Sequence, residues 1–119
     1  MRIAFTSMGN SLDSQLDSRF GRAKSFLLYD TEKEVSEVID NSVNLNAAQG
    51  AGIQAAGNVA DAKADILITG HCGPKAFRVL SKAGISVYTT DAKTVKEALD
   101  LFRNGKLEKA SDADVEGHW

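Results

Sequence analysis

At 119 residues, with 43% of positions hydrophobic and 25% charged, the chain suffices for one globular domain around one core and is too short for two. Fourteen basic against sixteen acidic residues leave a net charge of −2, which argues against a global field for nucleic acid or an anionic membrane and confines any anion site to a local patch. The single cysteine excludes an internal disulfide, and no apolar run approaches the roughly 20 residues of a spanning helix.

Residues 2–6, Arg-Ile-Ala-Phe-Thr, read as a strand at the sheet centre, with Ile3 and Phe5 facing one layer and Ala4 the other. No charged and then apolar leader precedes it, so the expected location is the cytoplasm. Ser7, Met8, Gly9 and Asn10 end the strand. From there to Ser18 the chain is mostly Ser, Asp, Asn and Gln, with Leu12 and Leu16 as the only apolar anchors, the composition of a loop that is mobile without ligand. Arg19, Phe20, Gly21 and Arg22 follow. Residues 25–30 form a second strand, 31–33 a turn, and 34–40 an alternating third strand with Val35, and Ile39 as a further candidate, turned inward and the acids outward. These three strands make an antiparallel meander. Residues 41–49 are polar and irregular, rich in the Asn and Ser that suit turns.

Residues 50–62 read as a helix of small residues whose stripe of Ile53, Ala56, Val59 and Ala60 would lie close to a sheet. Each interior glycine costs roughly 1 kcal/mol relative to alanine, so close packing or ligand approach must offset it. Residues 65–69 then form a buried strand, which breaks at Gly70-His71-Cys72-Gly73 and restarts as a helix at Pro74. Gly70 and Gly73 permit positive φ or close approach, and Pro74 fits the first helical position. Ala76, Phe77, Leu80 and Ala83 give that helix its buried face. The cysteine and one of the two histidines thus meet where a strand's carboxyl end joins a helix's amino end, a place suited to an anionic ligand. Residues 84–88 form a fifth strand. A last helix spans 91–103, capped by Thr90 or Asp91, striped by Val95, Ala98, Leu99 and Phe102, and stopped at Asn104-Gly105. The domain is expected over 1–105, with 106–119 a polar tail that frays.

A meander followed by two helix-linked strands predicts an α/β fold, a ribonuclease H-like three-layer sandwich in which a five-stranded mixed sheet carries helices on both faces. Met1-Arg2-Ile3-Ala4-Phe5, Asp17-Ser18-Arg19-Phe20-Gly21-Arg22-Ala23, Gly50-Ala51-Gly52-Ile53, Thr69-Gly70-His71-Cys72-Gly73-Pro74-Lys75-Ala76, Gly84-Ile85-Ser86-Val87-Tyr88 and Gly105-Lys106-Leu107 occur in this order. Together, along nearly the whole chain, they resemble the dinitrogenase iron–molybdenum cofactor biosynthesis family. The resemblance implies a non-enzymatic carrier or chaperone that stores, transfers or helps assemble an anionic metal–sulfur cluster. The family includes the orange proteins, which hold a molybdenum–copper sulfide, so the implied cluster is molybdenum with copper or iron. The family's usual histidine before Phe-Gly is Arg19 here, which removes a candidate ligand and adds a cation.

The residues can be weighed apart from the resemblance. Thiolate sulfur suits copper(I) and iron–sulfur centres, and imidazole suits copper, iron and zinc, so Cys72 and His71 are candidate metal ligands. With one cysteine, the alternative of a small buried Cys72 and a satisfied turn histidine stands equally open. A closed zinc site lacks its paired ligands. An anionic cluster bringing its own sulfides could instead be held by N–H groups at the Pro74 helix start with Arg19, Arg22 and Lys75, three cations whose commoner place is a solvated surface. Met8 offers a thioether or a gap filler, and Phe20 reads more as a core anchor than a contact. The candidate cofactor-binding set is therefore Met8, Arg19, Phe20, Gly21, Arg22, Gly70, His71, Cys72, Gly73 and Lys75. A two-metal nuclease would need carboxylates in residues 3–6 and 66–69, which have none. A cysteine hydrolase would need a base better placed than adjacent His71 or tail His118. The glycine spacings match neither nucleotide-binding motif. A protein-interaction module without cluster is the remaining alternative.

Overall fold

The alternation of Ile3, Ala4 and Phe5 places a strand between two apolar layers. In a computed structural model that describes residues 1–21, 23–41 and 51–110, this strand, β1 (Arg2–Ser7), lies inside a six-stranded sheet. β2 (Ser25–Asp30) and β3 (Val35–Asp40) complete an antiparallel meander on one side of it. On the other side β4 (Ile66–Thr69) pairs parallel with β1, and β5 (Ser86–Thr89) parallel with β4. β6 (Glu108–Lys109) adds an antiparallel edge, giving the order β3-β2-β1-β4-β5-β6. α1 (Ala51–Asp61) and α2 (Pro74–Lys82) pack on the face that carries Ala4, Phe26, Leu28, Leu67 and Val87. α3 (Val95–Arg103) covers the opposite face with Ile3, Phe5, Leu27, Ile66 and Ile68. Burying a side chain such as Phe5 or Leu27 stabilises the fold by about 1.5–3 kcal/mol. The mixed sheet is thus covered on both sides, and none of the described helices is long and apolar enough to cross a membrane.

Several expectations are corrected in detail. The sheet has six strands rather than five, because residues 108–110, read as tail, pair with β5 and bury Ala110. The fifth strand begins two residues later than expected, since Gly84 takes φ +80 in the turn that closes α2, and Ala83 caps that helix, exposed. Val35 is 57% exposed, because it sits opposite Asp30 at the far end of an edge strand, where only Ile39 reaches the core. The buried face of α1 is Ala55, Ala56 and Val59, which leaves Ile53 45% exposed and Ala60 half-buried. α3 starts at Val95, where Thr94 Oγ1 accepts from Glu97 N–H at 3.1 Å; neither Thr90 nor Asp91 is its cap. Its end is as expected, with Asn104 at the C-cap and Gly105 at φ +68. Arg22, the irregular stretch after Asn41, the Gly50 helix start and the tail beyond 110 lie outside the described residues.

Candidate functional site

The carboxyl ends of β1, β4 and β5 lie side by side, and the segment after β1 crosses them. Its polar composition suggests a loop with few anchors, but its backbone supplies them. Met8 N–H donates to Gln15 O at 3.0 Å, Asp17 N–H to Thr6 O at 2.9 Å and Leu16 N–H to Lys93 O at 2.9 Å. In return Val95 N–H donates to Ser14 O at 3.0 Å and Lys96 N–H to Leu12 O at 2.8 Å, so the segment and the start of α3 hold each other. Phe20 N–H then reaches His71 O at 3.1 Å, beside a bridge between Arg19 and His71. Beneath this strap the buried Thr6 hydroxyl contacts Thr69 Oγ1 at 2.9 Å and donates to the Asp17 carbonyl. Gly70 makes the crossing possible. A Cβ there would lie 2.6 Å from Ser18 Cα and 2.7 Å from Ser18 O, backbone atoms that cannot step aside alone. Gly73, read with the same two roles, has neither, since its φ is −68 and the space beside it is open.

Between strap and strand ends opens a cleft of about 420 Å³. Leu16 and Ser18 of the strap form one wall, Gly70 and His71 of the β4–α2 turn another, and Thr89, Thr90, Asp91 and Ala92 after β5 the third. Thr90 N–H donates to Thr69 O at 3.0 Å, and Thr90 Oγ1 accepts from Ala92 N–H at 3.2 Å, which fixes the third wall. The sequence reading missed both strap and third wall. The signal was present in the carboxyl-end rule, which applies to the fifth strand as well as to the fourth.

The structure divides the candidate residues. Gly70 and His71 line the cleft, and His71 is exposed. Cys72 is 1% exposed and belongs to the core cluster with Phe20, Ala76 and Leu80. Its Sγ lies 3.7 Å from the Gly73 carbonyl, and burial pushes the thiol from 9.0 up to about 12. A thiol so placed keeps its proton at neutral pH, the opposite of a lowered-pKa nucleophile. Phe20 is a core anchor as expected, its ring 5.4 Å from that of Phe26. Arg19 is 68% exposed at its side chain; its N–H donates to Asp17 Oδ1 at 3.0 Å and its Nε lies 3.9 Å from the same oxygen. Gly21 is half-exposed, and Lys75 is exposed on the first turn of α2. Met8 is 52% exposed and lines a separate hollow with Lys24, Val38 and Asp40. Arg22 is not among the described residues.

Among the described residues no three His, Cys, Asp or Glu side chains cluster to hold a bare metal ion. α2 begins at Pro74 with no side-chain cap from Gly73, so the N–H groups of its first turn lack intrahelical acceptors and favour negative charge.

Residues 1–105 match the family model described as dinitrogenase iron–molybdenum cofactor. A protein of uncharacterised function from Methanocaldococcus jannaschii is 32% identical over 100 residues, which cover 82% of this chain and 84% of the relative. Among solved structures, the apo form of the orange protein from Desulfovibrio gigas is 40% identical, with a TM-score of 0.89 over 92% of both chains. A Thermotoga protein assigned provisionally as a NifB protein is 37% identical, with a TM-score of 0.80 over 91% of each.

Proposed function

Because the chain belongs to the dinitrogenase iron–molybdenum cofactor family, we propose that it binds an anionic metal–sulfur cluster as cargo at the carboxyl edge of its sheet. The cluster is molybdenum with iron or copper. The protein stores it or hands it to an acceptor in the cytoplasm, without catalysing a reaction of its own. We read the order β3-β2-β1-β4-β5 as a ribonuclease H-like scaffold for that carrier, with β6 added at the edge.

The observation that carries this reading is the cleft of about 420 Å³ at the ends of parallel β4 and β5, beside the uncapped start of α2. Gly70 and His71 meet the cluster directly, and backbone N–H groups of the turn and of α2 supply partial positive charge. The exposed cations Arg19 and Lys75 offset part of the cluster's charge, and Arg22, which lies outside the described residues, is the third candidate cation. Of the two candidate metal ligands, exposed His71 is the direct contact, and Cys72 supports the turn from the core side. Phe20 and Gly21 seat the strap, Gly73 leaves the helix start open, and Met8 lies apart.

Reconstitution tests this. Protein incubated without oxygen with tetrathiomolybdate and a copper or iron salt is expected to acquire visible charge-transfer absorption and to keep metal through gel filtration. Arg19→Ala should weaken retention, and added salt should weaken it further, because screening shortens to roughly 3 Å at 1 M. Cys72→Ser should retain cluster once circular dichroism shows it folded. Loss with Cys72→Ser alone would make the thiol the ligand, and a protein colourless in every mixture would favour the interaction-module reading.

A further inference from the structure

We infer that Asp91 is a charge-selecting residue of the cleft, which loosens the hold on highly charged anions so that cargo can leave. This rests on the reading of the cleft as the cluster site. Asp91 lines the cleft from the turn after β5, exposed, and among the described residues its carboxylate has no hydrogen-bond or ion-pair partner. The backbone on either side of it is held, by Thr90 N–H on Thr69 O at 3.0 Å and by Ala92 N–H on Thr90 Oγ1 at 3.2 Å, so the charge stays at the rim. The lining contains neither lysine nor arginine to neutralise it. Arg19, a candidate cation on the strap, has its Nε 3.9 Å from Asp17 Oδ1 instead. A cargo anion therefore gains from the backbone dipoles of the β4–α2 turn and loses to one carboxylate on the opposite wall.

Coulomb repulsion scales with the ligand's charge, whereas shape and packing do not. At roughly 7 Å in a largely aqueous cleft, one carboxylate weakens binding about three- to fourfold per unit of ligand charge. That difference separates an electrostatic role from a structural one. Tetrathiomolybdate and tetrathiorhenate are tetrahedral anions of nearly equal size, the first a dianion and the second a monoanion.

The experiment titrates both anions into the wild-type protein, Asp91→Asn and Asp91→Lys at low salt. Absorption reports affinity, and amide chemical shifts report the place of binding. Asp91→Asn should bind the dianion about tenfold tighter and the monoanion about threefold tighter, Asp91→Lys should widen both gains, and 1 M salt should erase them. Equal or absent changes for the two anions, with shifts still at Gly70 and Thr89, would overturn the role of Asp91 and leave the site standing. If neither anion moves the cleft resonances in any variant, the cleft reading itself falls, and this inference with it.

Discussion

Two glycines three residues apart do different things, and only one is required. Gly70 has no room for a side chain because Ser18 of the strap lies against it, whereas Gly73 faces open space at an ordinary φ. Gly70→Ala is expected to destabilise the protein by about 1–3 kcal/mol in urea unfolding and to shift amide signals at Ser18 and Phe20, because backbone must move. Gly73→Ala should stay within about 0.5 kcal/mol of wild type. The sequence marks both as places for close approach, and nothing local separates them, since the deciding neighbour, Ser18, is remote in sequence. The same distance hides the fate of Cys72. Its strand-to-helix position reads equally well as ligand or core, and only the packing of Phe20, Ala76 and Leu80 around it shows the thiol turned inward.

At the scale of elements, the sequence is most legible where a signal is local. The span of β2, the Pro74 start of α2 and the Asn104-Gly105 stop of α3 are read directly from residue chemistry. The start of α3 is less legible, because Thr90, Asp91 and Thr94 are all competent caps and the choice is made by the strap, whose Leu12 and Ser14 carbonyls accept from Lys96 and Val95. Thr94→Ala should therefore lower stability by about 1 kcal/mol and speed amide exchange at Glu97, while Thr90→Ala leaves Glu97 unchanged. The strap reads correctly as a loop, but its anchors are hidden for a related reason. Its side chains are polar, and the contacts that hold it to the start of α3 are backbone hydrogen bonds, which no composition reports.

For the whole molecule, the layered fold followed from alternation in β1 and from the change from meander to helix-linked strands. The sixth strand did not, since Glu108 and Lys109 are two exposed polar residues whose pairing depends on the edge that β5 leaves open. The core that α1 and α2 close also sets an alkaline limit. Below pH 9 the Cys72 thiol is protonated whether the chain is folded or not. Between 9.0 and about 12 the unfolded chain releases the proton and the folded one keeps it, so stability falls as pH rises. Unfolding midpoints in denaturant should accordingly drop more steeply above pH 9 for the wild type than for Cys72→Ala, and the two curves should run parallel below it.

The walls of the cleft come from three distant parts of the chain, the segments after β1, β4 and β5. The meander of β1, β2 and β3 can form from neighbours in sequence, but pairing of Ile3 with Ile66 must close a long loop before β5 has anything to join. A chain that has formed only the meander lacks two of the three walls, those after β4 and β5. On the proposed reading of the cleft as the cargo site, cargo is expected to bind only once β4 and β5 have joined β1, so tetrathiomolybdate added during refolding should leave the refolding rate unchanged.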